Sequence, residues 1–448
     1  MERLLIGIAL ASVVLVAGGN RAPGAEPTDR PTAENPLSRW ASMPEGPAFF
    51  PIGVWAQHPR DAGAYRKLGV NFYLGLYAGP TAEQVAQMRR AGMPFVCAFN
   101  AYARANLLDE PLAWGWMHRD EPDLAHVYPR SLLRKAGGRK IIRDKWPEVF
   151  QAQNLAERQY EGWGLAAHPV RDVQAHYKRI RAVDRTRPVL INFSRAVAYD
   201  GRINGRGDRS GHAEDYPDYI DGADWISFDI YPVAADGDEA ELWRIARGLS
   251  ALKGWGAENK PLMVILEAGY GERWASYEQQ RAQAWLAISQ GAHSIVWFCH
   301  RWAKVDGRRK LTSTRMPLTE PSVGKAVAKI NAEIARYARI INHPPANDRV
   351  AVETERGIFA GARQTAKALY VFVIESTGEA AAEATIRVAG IGTGRATVVG
   401  EDRQVAIRDG TIIDALEPYA VRVYRIETGA ARPGAEGTKG AEQAEGAG

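Results

Sequence analysis

Cysteine is almost missing from this chain: Cys97 and Cys299 are the only two in 448 residues. That count excludes a disulfide-stapled scaffold, and since each lies inside an apolar run, the pair reads as two buried free thiols. Long hydrophobic runs are equally scarce. The one at the start, Leu4 to Gly18, is short of the ~20 residues that a membrane span needs. Arg3 precedes it and the small residues Ala22, Gly24 and Ala25 follow, which is the pattern of a cleaved export signal over 1–25. The expectation is a secreted or periplasmic protein with no stable membrane span after cleavage. No cysteine follows the run closely, so a lipid anchor on such a residue is excluded. A Gly-rich phosphate-binding loop is also lacking after the first strand-like run, and no cofactor is expected. No nucleic-acid-binding module is recognisable, so the formal charge of +5 is not read as a nucleic-acid footprint.

What is present is apolar and aromatic: 46% hydrophobic residues with 13 Trp and 17 Tyr, enough for a large core and for stacking on sugars. Eight strand-like runs follow one another: Phe49 to Ala56, Val70 to Ala78, Pro94 to Asn100, Leu112 to Arg119, Pro188 to Ser194, Trp225 to Pro232, Leu262 to Ala268 and Ser294 to His300. Near-continuous apolarity is what strands buried on both faces show. Helical patterns fill several gaps, at Thr81 to Ala91 with a Thr81/Gln84 capping pair, Asp172 to Val183, Glu239 to Leu252 and Tyr277 to Gln290. Strands alternating with helices, with the strand runs numbering eight, predict an α/β fold of the (β/α)8 barrel type over 48–343. With Cys97 and Cys299 on the third and eighth runs, they fall on different sides of such a barrel, too far apart to bridge. Residues 26–47 read as a linker and a last helix as Val323 to Ile341. Short alternating runs over 344–428 predict a small antiparallel, sandwich-like β domain, and the Gly/Ala/Glu-rich 429–448 a disordered tail.

Two glutamates carry the chemistry. Glu121 follows the fourth run in Trp116-Met117-His118-Arg119-Asp120-Glu121-Pro122, and Glu267 closes the seventh in Val264-Ile265-Leu266-Glu267. Both therefore fall at the carboxyl ends of barrel strands, the catalytic face of this fold. Cleaving a glycosidic bond with retention needs a protonated carboxyl and an ionised one ~5 to 5.5 Å apart, and strands four and seven face each other across the mouth.

These placements resemble the large (β/α)8 clan of retaining glycoside hydrolases that includes cellulases, mannanases and β-galactosidases, over roughly residues 49–340. The resemblance implies Glu121 as acid/base, from the match of Asp120-Glu121-Pro122 to the clan's Asn-Glu-Pro, and Glu267 as nucleophile. It implies Tyr231, in Asp229-Ile230-Tyr231, as the hydroxyl that hydrogen-bonds the nucleophile, and Trp297, with Trp302 as substitute, as the floor of the sugar subsite. Two departures stand out. Asp120 replaces a neutral amide by an acceptor-only carboxylate, and strand two ends in Tyr73, Leu76 and Tyr77 where the clan carries an Arg.

Asp229, His58, Tyr77 and His300 complete the expected substrate-binding set, a carbohydrate being the expected partner. The longest insertion, Asp123 to about His168, holds Arg130, Arg134, Lys135, Arg139, Lys140, Arg143 and Lys145, so an acidic polymer is one candidate substrate. Two other classes remain open: a metal-dependent sugar isomerase or epimerase with Glu121, Asp229, Glu267 and a histidine as ligands, and a carbohydrate-binding surface protein whose barrel has lost turnover.

Overall fold

A computed structural model describes residues 35–124, 170–199, 213–236, 241–269, 271, 273–353 and 357–428. The export signal, the tail and all of the basic insertion beyond residue 124 lie outside the described residues. Strands β1 (Ile52–Trp55), β2 (Phe72–Leu74), β3 (Phe95–Ala98), β4 (Ala113–Met117), β5 (Val189–Phe193), β6 (Trp225–Asp229), β7 (Leu262–Glu267) and β8 (Ser294–Phe298) pair in sequence order, all parallel, and β8 returns to β1. This is a closed barrel. Helices α1 (Ala62–Lys67), α2 (Ala82–Ala91), α3 (Ala101–Asn106), α4 (Val170–Arg181), α5 (Tyr216–Asp221), α6 (Arg244–Leu252), α7 (Tyr277–Ser289) and α8 (Pro321–Ile341) intervene or follow. The expected Thr81/Gln84 capping box is formed at α2, and a second, Ser276/Gln279, opens α7.

Strand periodicity sorts the side chains. Phe72, Leu74, Val96, Trp114, Leu190, Trp225 and Met263 fill the barrel interior, while their neighbours Tyr73, Phe95, Cys97, Trp116 and Ile191 pack under the helices. Gly53 makes room for this filling, since a Cβ there would lie 2.6 Å from the Phe72 ring. Cys97 and Cys299 are buried free thiols.

Residues 35–47 are not the linker that their composition suggests. Asn35 caps a 3-10 turn (Pro36–Arg39), and Leu37 and Met43, 0% and 4% exposed, join the interior cluster from below. Ser42 Oγ donates to Trp114 O at 2.7 Å, and Asn35 Nδ2 to His293 O at 2.6 Å. Three apolar anchors (Leu37, Trp40 and Met43) scattered among polar residues close the floor of the barrel.

The chain adds two features after β8. A hairpin, β9 (Arg301–Val305) and β10 (Arg308–Ser313), rises from the carboxyl end of β8. Beyond α8, β11 (Val350–Val352), β12 (Ile358–Gln364), β13 (Ala368–Glu375), β14 (Ala381–Val388), β15 (Gly394–Val398), β16 (Arg403–Arg408), β17 (Thr411–Leu416) and β18 (Val421–Glu427) form one eight-stranded antiparallel sheet in the order β11-β14-β17-β16-β15-β18-β13-β12. The β domain is thus a single continuous sheet with a core of its own.

Helix α7 lies between barrel and sheet and is buried from Gln279 to Ser289 except at Arg281, so that even Gln280 and Gln283 are inaccessible. Trp285 stacks on Phe372 of β13 with ring centroids 5.5 Å apart. Arg363 of β12, 3% exposed, donates to Ile288 O at the end of α7 (3.1 Å) and to Ile341 O at the end of α8 (3.0 Å). One guanidinium therefore caps two helix C-termini, where the macrodipoles favour a cation. Gly361 permits the approach, because a Cβ there would lie 2.4 Å from Ser289 O.

Candidate active site

The loops at the carboxyl ends of the strands carry unusual backbone. Ala56 after β1, Ala78 after β2 and Glu121 after β4 have φ of +44°, +53° and +44°. Left-handed φ at a non-glycine costs about 1 to 3 kcal/mol and persists only where the surroundings enforce it. For Glu121 those surroundings are visible. Its N–H donates to Asn192 O at 3.0 Å, and two residues on, Asp123 accepts from Ser194 N (2.9 Å), Ser194 Oγ (2.7 Å) and Tyr216 Oη (2.9 Å). The Asp120-Glu121-Pro122-Asp123 turn is tied to β5 and α5.

Inside the mouth, alternate residues of β5 and β6 are polar and point inward. Ser227 Oγ donates to Asn192 Oδ1 (2.8 Å), and Asn192 Nδ2 donates to Asp120 Oδ1 (2.9 Å). Asp229 ends β6 in the same row. Its carboxyl is hydrogen-bonded with Tyr231 and with Glu121, while Oδ1 is shut off from solvent with no hydrogen-bond partner. Burial, then the neighbouring Asp120 charge, push Asp229 up to about 7; burial likewise pushes Asp120 up to about 6. Like charges this close cannot all ionise at neutral pH, so the cluster retains protons there. Asp120 itself acts as an acceptor, from Asn192 Nδ2.

Glu267 has partners of its own. It has no exposed surface, Oε1 accepts from Val233 N (3.0 Å) and Gln283 Nε2 (2.8 Å), and Oε2 accepts from Ala234 N (2.7 Å). Burial raises it to about 7 against these donors. The carboxyl braces the segment after β6 against β7 and α7.

Among solved structures, a GH42 β-galactosidase from G. stearothermophilus matches with TM-score 0.51 at 10% identity, covering 85% of this chain and 98% of that one. An α-amylase from Geobacillus thermoleovorans, solved with acarbose, matches with TM-score 0.46 at 10% identity over 87% and 99%. An α-amylase from Anoxybacillus matches at 0.47, with 10% identity over 86% and 100%. The likeness is one of fold. No family model and no curated protein matches the chain.

The structure brings together Glu121, Asp120, Asp229 and Tyr231 of the residues singled out from sequence. Tyr231 serves Asp229, not Glu267 as the clan pattern implied. Trp297 is not a subsite floor: it is fully buried on the helix side of β8, and its indole N–H donates to Asn331 of α8 at 2.9 Å. Its neighbour Phe298 has the inward parity, and Phe298 joins Tyr231 (centroids 4.8 Å apart) to His300 (5.0 Å) across the mouth. Burial lowers His300, whose Nε2 is sealed and without a partner. His58 is exposed and caps the turn Pro59–Asp61, its Nδ1 accepting from Arg60 N at 3.2 Å. Tyr77 is 74% exposed just beyond β2, and Trp302 is half-buried on β9. Among the described residues no group of three or more His, Cys, Asp or Glu is arranged to hold a metal ion. The residues missed from sequence are Asn192, Ser227, Asp123 and Phe298. For three of them the signal was there, as an inward position at every second residue of a buried strand.

Proposed function

We propose that the protein is a glycoside hydrolase that cleaves O-glycosidic bonds by double displacement, with Glu121 as acid/base and Asp229 as the attacking carboxylate. The observation that carries this is the hydrogen-bonded pair itself, two carboxyls at the mouth with Tyr231 on one of them. Such a pair keeps a proton between its members near neutral pH, so an acid and a carboxylate coexist. In the first step Asp229 attacks the anomeric carbon while Glu121 protonates the departing oxygen. In the second, Glu121 takes a proton from the water that displaces Asp229. Phe298 and His300 give the sugar an apolar and a polar side.

A second reading keeps Glu267 as nucleophile. It is favoured by the place of Glu267 at the end of β7 and by three N–H donors that favour its ionised form. Azide separates the two. With an activated aryl glycoside, Asp229→Gly should be inactive and regain turnover with azide, giving a glycosyl azide of inverted configuration, and Glu121→Ala should be rescued with retention. Rescue of Glu267→Gly in place of Asp229→Gly would move the role to Glu267. A panel of neutral and acidic glycans on which the wild type does nothing would end the hydrolase reading. Export rests on the leader pattern over 3–25, and sequencing the N-terminus of the mature protein tests it.

A further inference from the structure

The β9–β10 hairpin belongs to no part of the chemistry above. It leaves the carboxyl end of β8 directly after His300, so it stands on the mouth side of the barrel. Its 13 residues hold five cations, Arg301, Lys304, Arg308, Arg309 and Lys310, against one acid, Asp306. The pairing of Arg301 with Ser313, Ala303 with Lys310 and Val305 with Arg308 puts Arg301, Lys310 and Arg308 on one face of the ribbon. Asp306 reaches only Lys310, at 3.4 Å between exposed side chains.

Arg301 is the innermost of the three. Its guanidinium lies 5.1 Å from the ring centroid of Trp274, which comes from the loop after β7, so two neighbouring strands contribute to the same spot. Among the described residues its Nε is sealed without a hydrogen-bond partner. His300 Nε2, one residue back, is in the same condition. Unpaired buried donors are expensive, and a guanidinium on the mouth side of the barrel is suited to take an anionic partner. A guanidinium set over an indole keeps its terminal N–H groups as a fork that fits a carboxylate or a sulfate.

Resting on the glycosidase reading of the adjoining mouth, we propose that the β9–β10 hairpin and Trp274 form an outer subsite for anionic sugar units, with Arg301 as the residue that recognises the charged group. Trp274 supplies the stacking surface and Arg308 and Lys310 extend the field outward along the glycan. The basis is independent of the basic insertion after β4.

The test is calorimetry and affinity electrophoresis of the full chain with polygalacturonate, dextran sulfate, unsubstituted dextran and duplex DNA. One or both anionic glycans should bind and dextran should not. Arg301→Ala should weaken that binding about tenfold to a hundredfold, and Arg301→Lys should restore only part, because a point charge replaces the fork. Arg408→Ala on the C-terminal sheet removes the same charge and should change nothing. Should Arg301→Ala not fold, Arg308→Gln at the exposed tip should still cost about two- to fivefold. Whichever polymer depends on Arg301 identifies carboxylate or sulfate. Absence of polyanion binding, equal losses in Arg301→Ala and Arg408→Ala, or DNA binding as tight and as dependent on Arg301 would overturn the proposal. Binding is read without turnover, so the two ideas fail separately. Arg301-dependent binding without cleavage of any glycan supports the subsite and removes the hydrolase reading, whereas cleavage of neutral glycosides without polyanion binding does the reverse.

Discussion

The floor and the mouth of the barrel are built from the same eight strands, yet they obey opposite rules. At the floor, Leu37 and Met43 fill the interior from below, Ser42 and Asn35 spend their hydrogen bonds on main-chain carbonyls, and Phe49 meets Trp114 edge-on at 5.4 Å. At the mouth, non-glycine residues sit at left-handed φ, carboxyls crowd together, and Asp229 Oδ1 and His300 Nε2 are sealed without partners. Stability at the mouth is therefore given up locally, and the floor and the helix layer have to supply it.

The strongest way to test that contrast is at Glu121. Glu121→Gln should lower kcat on a glycoside with a poor leaving group by about 10²- to 10⁴-fold, with far less effect on an activated aryl glycoside and no fall in Tm. The converse lies below: Leu37→Ala should cost about 2 to 5 kcal/mol of stability, read by denaturant unfolding, while kcat per folded molecule is unchanged. A loss of activity beyond the loss of folded protein would mean that floor and mouth are not separable.

Asp229 sharpens the comparison through pH. Its pKa is raised in the fold, to about 7 from the usual carboxylate range near 4, so ionisation opposes folding. The cost is full above pH 7, shrinks as pH falls toward ~4, and is absent below both values. Asp229→Asn should thus stabilise the protein at pH 7.5 by roughly 1 to 2 kcal/mol while abolishing activity, and the gain should vanish near pH 4.5. A variant that is destabilised at every pH would show the carboxylate to be a structural partner instead. The smallest effect is expected at Trp297→Phe, which loses the bond to Asn331 and should cost ~1 kcal/mol, with KM unchanged in steady-state kinetics.

The barrel was legible because strands buried on both faces cannot hide their apolarity, and their order alone gives the topology. The hairpin was not, since Arg301 to Ser313 is charged and lacks an apolar alternation, and its pairing is enforced by the strand it grows from. At the site, strand-end position picked out Glu121 and Glu267, with Asp229 only as a substrate contact, and no sequence rule says which way a strand-end carboxyl turns. Glu267 is enclosed by the amides of Val233 and Ala234, whose arrival at that point depends on the course of the chain after β6. Trp297 and Phe298 differ by one residue, and only the inward parity fixed by the whole barrel decides between them.

Arg363 carries a consequence for how this protein could be divided or recombined. Trimming the chain at the end of α8 would strip two helix ends of the cation shared between them and leave Trp285 facing water. The barrel is thus no portable cassette, although it contains every residue assigned to chemistry. A transplant that keeps its solubility would have to carry β12 and β13 along, or rewrite the outer face of α7 as a surface.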